Sequence, residues 1–105
     1  MEMRSFVERS GRVPFERWFA SLDRQAQAKV TIALSRLARG NRSHVKGVTE
    51  LKLDWGPGYR VYFGQEGQTL VILLGGGTKK RQSEDIAAAK ARWAEYKGRK
   101  ATRIG

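Results

Sequence analysis

Lys52, Arg60 and Tyr62 lie in two alternating stretches, and a Gly-rich run, Gly75-Gly76-Gly77, leads into Lys79-Lys80-Arg81. Cations and a phenol on one surface can hold a phosphate and stabilise charge that develops on it. The alternative is a solvated face. Asp54–Arg60 and Glu50–Lys52 would then be ordinary ion pairs, each contributing about 0–1 kcal/mol. A Gly-rich strand end feeding a basic triplet and a helix start suits phosphate handling. The P-loop spacing is absent, which argues against nucleotide hydrolysis. His44, the only His, sits in the polar 41–47 stretch and reads as a loop residue rather than a base. One His and no Cys exclude disulfides, thiolate metal sites, Cys nucleophiles and His-pair nucleases.

Those cations need elements to position them. Residues 3–8 suit a short first strand. Pro14 fits the first position of a helix, where its missing N–H costs nothing. Phe15, Trp18, Phe19 and Leu22 follow as one apolar helical stripe. Asp23 caps a second helix. Its buried face is Ala26, Val30, Leu34 and Leu37, and Gly40-Asn41 ends it. The period then changes. Residues 48–55 alternate, Gly56-Pro57-Gly58 turns the chain, and residues 59–64 alternate again. A tight turn at Glu66-Gly67 leads to an apolar strand, Thr69 to Gly75, that should be covered on both faces. Ser83 caps a last helix with Ile86, Ala89, Trp93 and Tyr96 buried and Gly98 at its end.

The resulting order is β-α-α-β-β-β-α. It predicts an α+β fold with an antiparallel meander, a helical hairpin and a C-terminal helix, the helices packed on one face. The turns pair Asp54 with Arg60 and Lys52 with Tyr62, and then Arg60 with Leu73 and Tyr62 with Val71. Glu50, Lys52, Asp54, Arg60, Tyr62, Val71 and Leu73 then share the face away from the helices. Lys52 and Arg60 become diagonal neighbours within reach of one ligand. Lys79 continues that face if the glycines keep the strand regular. Trp18 and Trp93 read as core, and Trp55 as core or as an exposed stacking platform.

The 105 residues fit one domain, able to bury roughly 65% of its unfolded surface. Residues 1–97 are the domain, and 98–105 a basic flexible tail. No apolar run is long enough to span a membrane, and the N-terminus shows no signal segment, so a soluble cytoplasmic protein is expected. The formal net charge is +11, which favours a polyanionic partner. Residues 23–47 hold 6 basic and 1 acidic, and residues 79–105 hold 9 and 3. The middle, residues 48–78, holds 2 basic and 3 acidic.

Three runs carry a family resemblance: Gly40-Asn41, Val48 to Leu53, and Gly56 to Phe63 (Gly-Pro-Gly-Tyr-Arg-Val-Tyr-Phe). It continues through Leu73 to Lys79, Gln82, Asp85-Ile86 and Ala89-Lys90, with Trp18 and Leu22-Asp23 upstream. Together they resemble the RelE/ParE-superfamily toxins of bacterial type II toxin–antitoxin modules, nearest the HigB-like addiction module killer proteins. The resemblance implies a RelE-like fold and a cytoplasmic toxin that inhibits translation as an endoribonuclease cutting mRNA on the ribosome. It implies a cognate antitoxin, expected to be a helix-turn-helix protein, and no membrane partner. It assigns Arg60 to phosphate stabilisation and Lys79 to a second cation or proton donor. Lys52 becomes a phosphate contact or base. Tyr62, Lys80 and Arg81 become RNA-binding residues. No metal or other cofactor is called for. The family usually has Glu-Leu-Arg where this chain has Glu50-Leu51-Lys52, and Lys keeps the charge without the bidentate fork. Two alternatives remain at this level: a ParE-like inhibitor of DNA gyrase that cuts nothing, and a basic RNA-binding domain without toxicity.

Overall fold

The computed structural model describes residues 2–38, 48–67 and 69–104, with side chains described through residue 100. His44, the 41–47 stretch and the Gly40-Asn41 helix end fall outside the described residues. The elements run β1 (Glu2–Ser5), α1 (Pro14–Ala20), α2 (Arg24–Ala38), β2 (Val48–Lys52), β3 (Tyr59–Glu66) and β4 (Leu70–Thr78). A short 3-10 helix (Lys79–Arg81) and α3 (Gln82–Ile104) follow. The fold is α+β, as the sequence predicts. Its four strands form one mixed sheet in the order β1-β4-β3-β2, with β1 parallel to β4 and the other pairs antiparallel.

Local chemistry accounts for the helix starts. Pro14 opens α1 from an extended Val13. The Asp23 carboxylate accepts the Ala26 N–H at 2.8 Å and caps α2. Gln27 donates to the Phe19 carbonyl at 3.0 Å, tying the two helices of the hairpin together.

The helices cover both faces of the sheet, not one. Phe15, Val30 and Leu37 of the hairpin pack on Val61, Phe63, Val71 and Leu73. Ala89 and Trp93 of α3 pack on Tyr62, Ile72 and Leu74 from the other side. An all-apolar central strand demands this cover, because either face left open would expose a row of branched side chains. Bare glycines let the aromatics dock. A Cβ on Gly64 would lie 2.3 Å from the Trp93 ring, and one on Gly76 would lie 2.3 Å from Trp18.

The register also differs from the turn-based reading. β3 and β4 pair Glu66 with Leu70, so the loop holds three residues, not two. An odd shift in pairing exchanges the faces of a strand. Val71 and Leu73 therefore face the hairpin, while Ile72 and Leu74 face α3. Between β2 and β3 the shift is even: Lys52 pairs with Arg60 and Glu50 with Tyr62. Face assignments there survive, and Lys52 sits directly opposite Arg60 rather than diagonal to it.

Gly98 does not stop the last helix, and the segment read as a tail is helical through Ile104. One glycine costs a helix only about 1 kcal/mol. The turn around it is braced: Arg99 bonds Glu95 at 2.9 Å and the Val7 carbonyl at 2.7 Å, and Lys100 reaches Glu66. No helix among the described residues is long and apolar enough to cross a membrane.

Candidate functional site

A cleft opens at the mouth of the β2–β3 hairpin. Lys52, Trp55, Gly58, Arg60 and Lys79 line it. The turn that shapes it needs its glycines, since Gly56 and Gly58 have φ of 60° and 77°. The Gly58 carbonyl organises the cleft. It accepts the Lys79 N–H at 3.1 Å and an Arg60 guanidinium N–H at 3.0 Å. One backbone oxygen thus holds the hairpin tip to the start of the 3-10 helix, and Lys79 to the strand that carries Arg60.

Glu50 is the second organiser. One carboxylate oxygen accepts from Arg60 Nε at 3.3 Å and lies 3.8 Å from Lys52 Nζ. The other accepts from Gln82 at 2.8 Å, where α3 begins. The expected Asp54–Arg60 pair is thus replaced by Glu50–Arg60, a consequence of the two-residue shift in register. The Arg60 side chain is only 10% exposed, so its charge is fixed at the cleft floor. The Lys52 and Lys79 residues are exposed and reach solvent at the cleft edge.

Of the six residues chosen from sequence, Lys52, Arg60 and Lys79 come together here. Lys80 and Arg81 stand beside them on the 3-10 helix, both exposed, with Arg81 paired to Glu84 at 2.7 Å. Tyr62 is a correction. It is 1% exposed beneath α3, and among the described residues its hydroxyl has no hydrogen-bond partner. It can neither stack on a base nor bond one. The one-face arrangement of helices left it open; α3 on the second face closes it. Burial pushes the phenol above its ordinary range, with the nearby Glu50 and Asp85 carboxylates adding to the effect. An unpartnered buried hydroxyl contributes little to stability. Tyr62→Phe is therefore expected to unfold within about 1 kcal/mol of wild type, by urea titration. A loss above about 2 kcal/mol would show that the hydroxyl is bonded.

Several participants were not singled out from sequence. Lys29, Ile32 and Arg36 of α2 line a groove that shares Lys52, Asp54 and Trp55 with the cleft. Trp55 stacks on Tyr59 with ring centroids 5.8 Å apart, and Lys29 Nζ lies 5.8 Å from the Trp55 ring. The signal was present in the basic bias of residues 23–47, but not its direction. The contact between Gln82 and Glu50 gave no signal, because only the tertiary fold brings β2 to the start of α3. Among the described residues, no group of three or more His, Cys, Asp or Glu side chains is placed to hold a metal ion.

The arrangement suits phosphate chemistry. One buried guanidinium is held rigid, two flexible ammoniums sit at the edge, and an indole is partly open beside them. Gly58→Ala tests the turn. A non-glycine at that φ costs about 1–2 kcal/mol, and a Cβ there would lie 3.4 Å from the Arg60 guanidinium. The variant should lose about that much stability in a urea titration. Wild-type stability would contradict the role given to the turn.

A protein of Haemophilus influenzae named as uncharacterized is 42% identical to this chain over 81 residues, covering 72% of this chain and 82% of the relative. No family model matches the chain, and no solved structure matches it.

Proposed function

We propose, for a chain that belongs to the family of this Haemophilus influenzae protein, the role of a toxin in a bacterial type II toxin–antitoxin module. It stops translation by cutting mRNA, and a cognate antitoxin neutralises it. The reading rests on one observation: Lys52, Arg60 and Lys79 converge on a cleft whose geometry is locked by Glu50 and the Gly58 carbonyl. The resemblance to RelE/ParE-superfamily toxins and the net charge of +11 support it.

In this reading a ribose 2′-hydroxyl attacks the adjacent phosphorus and gives its proton to solvent. The P–O bond to the 5′-oxygen breaks, leaving a 2′,3′-cyclic phosphate and a 5′-hydroxyl. Arg60 and Lys52 stabilise the extra charge on the pentavalent phosphate. Lys79 supplies a proton to the departing 5′-oxygen. Trp55 offers a base a face to stack on, and the flanking Lys29, Lys80 and Arg81 hold the strand by charge.

Induced expression in bacteria, followed by pulse labelling, tests the role. The expected result is loss of amino-acid incorporation first. Loss of thymidine incorporation first would favour a gyrase inhibitor, and unimpaired growth would oppose either toxin.

A further inference from the structure

A second cationic cleft lies on the other edge of β4. β1 pairs with β4 only through Leu73, so among the described residues the β4 edge from Leu74 to Thr78 has no strand beside it on that side. Three elements bring arginines to this open edge: Arg12 from the β1–α1 connection, Arg17 from α1 and Arg92 from α3. Gly75 and Gly76 form the floor. Arg92 donates to the Leu74 carbonyl at 2.9 Å, and its nitrogen lies over Gly75, 2.8 Å from where a Cβ would stand.

Among the described residues, no carboxylate closes on the guanidiniums here. Arg4, Arg9, Arg81, Arg99 and Lys100 each meet a carboxylate. Among the described residues no carboxylate comes within ion-pair distance of Arg12, Arg17 or Arg92. Glu8 and Asp85 line the cleft without closing on them. Three guanidiniums against two carboxylates leave a single positive charge, which matches the single negative charge of a phosphodiester. Planar guanidinium forks suit phosphate oxygens better than point-like ammoniums do.

We propose that Arg12, Arg17 and Arg92, over Gly75 and Gly76, form a phosphate-binding site separate from the hairpin cleft, which takes a phosphodiester of the bound strand. The identity of that strand rests on the RNA reading above; the phosphate chemistry does not. A free nucleotide presents the same phosphate oxygens on a monoester, and the experiment separates the two sources.

Amide spectra of the wild type are recorded with inorganic phosphate, with AMP and with a 2′-O-methyl RNA oligonucleotide that cannot be cut. The Gly75 and Gly76 signals are expected to move. Movement with RNA alone assigns the site to a polynucleotide; movement with AMP as well makes it a general phosphate site. An Arg12→Ala/Arg17→Ala variant, which removes two exposed side chains, should abolish the shifts. It should also lower the salt slope of RNA binding by about 0.7 for the phosphate lost. If AMP moves these signals and RNA does not bind at all, this site stands and the RNA reading fails. If no probe moves Gly75 or Gly76, the site is overturned.

Discussion

Glu50→Ala is expected to lower the stability of the protein by about 3–5 kcal/mol and to abolish RNA cutting. Arg60 is a guanidinium at 10% side-chain exposure, and Glu50, itself at 19%, is its charge partner. Removing the carboxylate leaves a cation desolvated and unpaired, which is costlier than the pair was worth. Gln82 loses its acceptor as well, so the start of α3 is released from β2. Urea unfolding at neutral pH gives the first number. The explanation is checked by Glu50→Leu combined with Arg60→Met. That pair removes both charges together and should recover most of the stability while staying inactive. A loss below about 1 kcal/mol for Glu50→Ala would show that the pair behaves as an exposed one.

The second large effect falls on rate rather than stability. Lys79→Ala is expected to slow cutting by about 10²–10³, or roughly 2.7–4 kcal/mol of transition-state stabilisation. Its side chain is exposed, so urea stability should stay within about 0.5 kcal/mol of wild type. Lys79→Arg separates the two roles assigned to the residue. Arginine keeps the cation but does not give up a proton at neutral pH. Near-wild-type cutting in Lys79→Arg would make Lys79 a phosphate clamp; a rate as low as that of Lys79→Ala would make it the acid. Wild-type rates in both variants would remove Lys79 from the chemistry.

The parts of the fold that depend on local patterning were legible in the sequence. Pro14, Asp23 and the apolar stripes located the helices because caps and 3.6-residue periodicity act within one element. The pairing of Lys52 and Arg60 on one face was legible despite a misread register, because a two-residue slip preserves facing. Tyr62 was misjudged for a tertiary reason. The loop after Glu66 is one residue longer than a tight turn, which exchanges the faces of β4, and α3 then closes over the face that holds Tyr62. The glycines of β3 and β4 were equally opaque. In sequence Gly64 closes an alternating stretch and Gly76 belongs to a Gly-rich strand end, whereas the two are seats for Trp93 and Trp18. No periodicity reports that an aromatic from a distant helix needs the space a Cβ would fill. Arg60 is the instructive intermediate case: its residue type and strand position were readable, but its confinement by Glu50 and Gly58 was not.

The most direct test supplies the purified protein to ribosomes translating a defined mRNA and maps the 5′ ends that result by primer extension. The wild type is predicted to produce discrete new ends on the translated message. A Lys52→Ala/Lys79→Ala variant with wild-type circular dichroism should produce none. An intact message with wild-type protein, or the same ends from the double variant, would contradict the claim that these residues cut RNA.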